Sequence, residues 1–326
     1  MAQELDAAVD PAAARVAPAW PGWVAAVAGL VVALFGTGLL LALANPEFFG
    51  LPPVSSGAWI VGAVVALAGA AGLLGGLGWL AWRGVRVRRH LPAERYRGPS
   101  VILMFVLAVA IANLASVVPL LLESNPVTAI GEAGPLTVVV LLAATPVAFV
   151  AVVGLFVIRP RALAGATLAD GQRTAWNMLR GVVLGSGSWL VAMGVSAVLT
   201  WVVTAMTGEE PTESQVAVDM ARSLSPIVAV ALIGIAAPVS EELFFRWAAV
   251  NAWAREKGIR VAVIGSTVLF GAAHLLGGSL LALPPIFLLG LILAFAYVRT
   301  RSLPLVVGMH AAFNCLSLAV VYLLPV

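Results

Sequence analysis

The chain returns nine times to a predominantly apolar run, at roughly 21–44, 57–82, 100–122, 136–158, 181–206, 226–254, 261–277, 284–298 and 304–324. A helix needs about 20 apolar residues to cross a hydrocarbon layer about 30 Å thick, so runs of this length predict membrane spans. Their length and the lack of period-two alternation exclude a strand reading. The expected architecture is an all-α, polytopic transmembrane bundle of about nine spans. Composition agrees: 62% of residues are hydrophobic, 10% are charged, and mean hydropathy is +1.06. Soluble domains carry about a quarter charged residues. No soluble domain, low-complexity tract or internal repeat stands out. The first run ends in Ala42-Leu43-Ala44, which resembles a cleavage site, but its acidic leader and its length favour a retained first helix.

The net charge is +3 and the pI about 9.6, yet the basic residues sit in short segments between apolar runs, which argues against a nucleic-acid partner. Arg83, Arg86, Arg88, Arg89, Arg95 and Arg97 fill one segment, and Arg159, Arg161, Arg173 and Arg180 the next. Arg255, Lys257 and Arg260 follow, then Arg299 and Arg301. The alternate loops hold only Arg222. Nine spans place every basic cluster on one face, assigned to the cytoplasm, with the N-terminus inside and the C-terminus outside. The inner membrane of a bacterial cell is the expected location. The stretch between Arg159 and Arg180, which includes Leu163, Leu168, Trp176 and Leu179, is polar enough to leave the membrane and is expected to form a short interfacial helix or, alternatively, a solvated connection. Cys315 is the single cysteine, so no intrachain disulfide can form, and a packing role is expected for it.

An ionisable group inside a span costs a few kcal/mol and needs a reason. Of fifteen acidic residues only Glu241 and Glu242 fall within an apolar run, and of three histidines His274 and His310 do so. Glu242 and Arg246 are i,i+4 neighbours and can pair, while Glu241 points about 100° away and is free for chemistry. His310 and Asn314 are likewise i,i+4 and share one face. Pro238 removes a backbone donor just before Glu241 and is expected to kink or widen the helix. At a rise of about 1.5 Å per residue from Arg255, Arg260 and Arg301, the residues Glu241, His274 and Asn314 all lie about 20 Å deep, and His310 about 13 Å. Matched depth on three helices of alternating direction points to one shared site.

Glu241-Glu242-x-x-x-Arg246, Phe270-x-x-x-His274 and His310-x-x-x-Asn314, in this order on successive apolar helices, resemble the CPBP family. That family comprises CAAX prenyl endopeptidases and bacteriocin-processing or self-immunity (Abi) proteins. The resemblance covers roughly 226–324, which it marks as the catalytic core, after a tail over 1–20 and five helices over 21–206 with no assigned role. It implies an intramembrane endopeptidase acting on a membrane-associated protein or peptide within the bilayer. In that scheme Glu241 is the general base for water, His274 helps to position the water, and His310 and Asn314 stabilise the oxyanion. Glu242, Arg246 and Phe270 have supporting roles. No obligatory cofactor is expected. Zinc held by Glu241, His274 and His310 is the metal alternative, although no His-Glu-x-x-His motif is present. Two other readings use the same buried polar residues: an ion-coupled transporter, and a non-catalytic scaffold or immunity protein.

Overall fold

An apolar run in a bilayer has no water to satisfy its N–H and C=O groups, so it folds as a helix that satisfies them internally. The computed structural model describes residues 17–44, 56–122, 134–166, 168, 173–208, 215–275 and 282–323. Every element among them is helical, with no strand. In chain order these are α1 (Trp20–Ala44), α2 (Ser56–Arg88), α3 (Val101–Leu122), α4 (Pro135–Val153) and α5 (Thr174–Thr207). They are followed by α6 (Gln215–Arg222), α7 (Pro226–Lys257), α8 (Ile259–His274), α9 (Leu283–Thr300) and α10 (Leu303–Leu323). Seven helices are long and apolar enough to cross a membrane: α1, α2, α4, α5, α7, α9 and α10. The remaining two apolar runs form shorter apolar helices, Val101–Ala115 within α3 and Ile259–His274, so the molecule is a multi-pass membrane protein. The expected tail falls outside the described residues as far as residue 16.

The interfacial helix expected between Arg159 and Arg180 is not a separate element. Residues 159–165 form turns, and Trp176 and Leu179 belong to the first turns of α5. At 34 residues, α5 is about 50 Å long and outreaches the hydrocarbon layer, so its N-terminal turns supply the amphipathic surface that a separate helix would have supplied. In place of a plain loop, the 207–225 segment contains α6, which the Tyr322 hydroxyl ties to α10 by donating to Ala221 O at 2.6 Å.

Packing without water relies on close backbone approach at small residues. A Cβ on Gly29 or Gly69 would strike the facing backbone of α2 or α1, and one on Gly181 or Gly185 would strike the α10 backbone at Leu305 or Met309. These contacts bind α1 to α2 and α5 to α10. A single buried cluster then runs from Ala26 and Leu77 through Met104 and Phe149 to Phe244, Phe270, Leu293 and Met309. Contacts between loops gather the basic segments at one end. Arg88 pairs with Glu256 at 2.6 Å, Arg97 N donates to Ala162 O at 3.0 Å, and Arg255 donates to Ala93 O and Ala164 O. Tyr96 lies under this end, and burial pushes its hydroxyl well above the usual tyrosine range, so it stays neutral.

Candidate active site

The site begins with a break in the regular winding of α7. Residues Val230–Ala236 and Leu243–Val250 are wound as π-helix on either side of an α-turn, Ala237–Glu242, that holds both carboxylates. In the first stretch Ala237 N–H bonds Leu232 O, five residues back. The next carbonyl, Ile233 O, would in the same pattern receive its hydrogen from residue 238, which is proline and has none. Asn314 Nδ2, on α10, donates to that carbonyl at 2.8 Å. Pro238 thus widens the helix and the freed carbonyl anchors the Asn314 amide. Cys315 Sγ stands 4.0 Å from the neighbouring Gly234 O, in a packing position.

Past Glu242 the second π-stretch turns Phe244, Phe245 and Arg246 inward, all fully buried. Arg246 pairs with Glu242 at 3.0 Å, donates to Gly290 O on α9 at 3.1 Å, and lies 4.4 Å from the Phe270 ring centroid. A guanidinium buried this deeply is held by one carboxylate, one carbonyl and one aromatic face. Phe270 also stacks edge-on with Phe245 and His310 and contacts His274. It is the aromatic hub of the cluster.

His310 is 2% exposed and lies between the two glutamates. Its Nδ1 is 2.9 Å from Glu242 Oε1 and its Nε2 is 3.9 Å from Glu241 Oε2. Glu242 is an ion-paired acceptor, so Nδ1 carries the hydrogen and Nε2 faces Glu241. Glu242 therefore holds a histidine as well as an arginine. Helical spacing showed only the arginine, because the histidine sits three helices further on. Glu241 Oε2 is buried without a hydrogen-bond partner. His274 Nδ1 is 2.8 Å from Phe270 O, so it too is the protonated nitrogen, and its Nε2 keeps the lone pair in the neutral ring.

Glu241, His274 and Asn314 line one cavity of about 400 Å³. The opposite wall includes Leu141, Leu142, Thr145, Pro146 and Phe149 of α4. Sequence reasoning gave α4 no role, although Pro146 inside an apolar run was a visible irregularity. A metal centre needs three or four ligand side chains around one point. Among the described residues no group of three His, Cys, Asp or Glu side chains forms such a set. The zinc alternative through Glu241, His274 and His310 would use the two Nε2 atoms, since both histidines give Nδ1 to other partners.

Residues 223–316, somewhat under a third of the chain, match the family model described as "Rce1-like: Type II CAAX prenyl endopeptidase Rce1-like". No curated protein and no solved structure matches the chain. The matched segment runs from the end of α6 into α10 and contains Glu241, Glu242, Arg246, Phe270, His274, His310 and Asn314. Residues 223–316 of this multi-pass membrane protein are thus similar to the Rce1-like type II CAAX prenyl endopeptidase family.

Proposed function

We propose that the protein is an intramembrane endopeptidase that hydrolyses a peptide bond of a membrane-associated protein or peptide, with Glu241 as the base that activates water. The observation that carries this reading is the unpartnered Glu241 carboxylate oxygen beside His310 Nε2, on a cavity shared with His274 and Asn314. In this scheme Glu241 takes a proton from the attacking water while the water oxygen bonds to the scissile carbonyl carbon. The proton then passes to the leaving amine as the C–N bond breaks. His274 Nε2 accepts a hydrogen bond from the same water and orients it. The oxyanion receives hydrogen bonds from Asn314, which keeps a second amide hydrogen, and from His310. Because Nδ1–H is given to Glu242, donation from Nε2 requires His310 as imidazolium. No step calls for a metal ion.

The catalytic unit in this reading is 226–324, completed by α4 as the far wall of the cavity. The basic end faces the cytoplasm of a bacterial cell and the chain sits in the inner membrane. The test is cleavage of a mixed library of membrane-tethered and prenylated peptides by purified protein in nanodiscs. Wild type is run beside Glu241→Ala and His310→Ala, with and without chelator. Cleavage should fall by about 10²-fold or more in each variant and should survive the chelator. Cleavage indifferent to both substitutions would overturn the assignment, and loss with chelator alone would overturn the metal-free mechanism.

A further inference from the structure

A second cavity, of about 460 Å³, opens at the basic end and is lined by Gly165, Asn251, Arg255, Ile259, Tyr297 and Arg301 among others. We propose that it is a binding site for a phosphate-bearing anion, supplied by the headgroup of an acidic membrane phospholipid. Two guanidiniums converge here. They are not free surface cations: Arg255 is fixed by bonds to Ala93 O and Ala164 O, and Arg301 by a 3.1 Å bond to Asn251 Oδ1. Glu94 lies near Arg255, but among the described residues neither arginine has a carboxylate within ion-pair distance. Like charges held side by side over a cavity repel unless an anion lies between them.

The floor of the cavity is polar. Asn251 and Tyr297 are buried, and Asn251 Nδ2 donates to the Tyr297 hydroxyl at 2.6 Å, which leaves the hydroxyl hydrogen to give. The N-terminus of the 16-residue α8 opens on the same space at Ile259, with no side chain capping its first turn. Guanidinium forks, a hydroxyl and free amides are the donors that phosphate oxygens take. The volume exceeds that of a bare ion and suits a phosphodiester with a polar head. Its place, at the basic ends of α7, α8 and α9, is the headgroup layer of a bilayer that α7 and α9 are long enough to cross. The lipid would clamp together the three helices that carry Glu241, His274 and the Arg246 acceptor Gly290. This inference stands apart from the proposed chemistry, and its test reads binding alone.

Wild type, Arg255→Gln/Arg301→Gln, the single Arg301→Gln and, as control, Arg159→Gln are placed in nanodiscs of phosphatidylcholine with or without phosphatidylglycerol. Lipid retained after detergent extraction and thermal melting are then read. Wild type and Arg159→Gln should retain phosphatidylglycerol and melt higher in its presence. Affinity should fall about thirtyfold in the double variant and part-way in the exposed single variant, which guards against misfolding of the double. Sodium phosphate in pure phosphatidylcholine discs is the remaining arm. A melting shift there that needs Arg255 and Arg301, without preferential retention of phosphatidylglycerol, would assign the site to soluble phosphate and overturn the lipid. Retention equal in all variants, or lost equally in Arg159→Gln, would overturn the site itself.

Discussion

Glu242 is bonded on two sides, by Arg246 on its own helix and by His310 on α10. Removing it leaves a fully buried guanidinium without its anion, which costs about 3–5 kcal/mol. Glu242→Ala should therefore melt far below wild type in detergent. Glu242→Leu/Arg246→Met replaces the pair with apolar groups of similar bulk and should recover most of the stability. It should still fail to cleave, because His310 loses the carboxylate that sets its ring. Wild-type cleavage by a folded double variant would show that Glu242 serves only the arginine. Residue by residue, much of the site was legible: charges in an apolar run are costly, so Glu241, His274 and His310 stood out, and counting from the basic residues gave matching depths. The His310–Glu242 bond was not legible, since spacing along one helix says nothing of which face a helix 68 residues away presents.

At the scale of the element, α7 is the unit that decides the site. An unbroken α-helix would pair Ile233 O with its own backbone, and Asn314 would have no anchor. Pro238→Ala supplies the missing N–H, so the new backbone bond competes with the Asn314 amide for that carbonyl. Displacing a catalytic group by about 1 Å costs up to ~10²-fold in rate. Pro238→Ala should lower kcat on that scale, with melting changed little. Combined with Asn314→Ala it should add almost nothing, since both act through one contact. Additive losses in the pair would break the link between proline and amide. The sequence marked Pro238 as a distortion, but not the π-winding, which depends on neighbouring helices to donate hydrogen bonds to the freed carbonyls, as the Ser266 hydroxyl does to Phe245 O at 2.9 Å. Trp176 and Leu179 misled for a related reason: amphipathic spacing identifies a surface, not whether it belongs to a separate helix or to the end of a long one.

Across the whole molecule, the matched domain does not enclose its own cavity. Phe149 of α4 packs on Phe244 and Phe245 with ring centroids 4.7 and 5.2 Å apart, so α4 belongs to the core that seats the carboxylates. The α1–α2 hairpin joins the same buried cluster only through residues such as Ala26, Leu77 and Ala81. These two attachments predict opposite outcomes. Phe149→Ala empties a packed aromatic site, should cost about 3–5 kcal/mol, and should depress cleavage with stability because the cavity wall moves. Gly29→Leu forces α1 away from the facing α2 backbone at Leu73, since the new side chain has no space there. Protease sensitivity of the α1–α2 hairpin should rise, while cleavage per folded molecule stays within about twofold of wild type, as expected for sites without shared partners. If Gly29→Leu silenced a folded enzyme as thoroughly as Phe149→Ala, the hairpin would have to be counted with the catalytic unit. The break between accessory and catalytic helices would then fall before α1, not between α2 and α4.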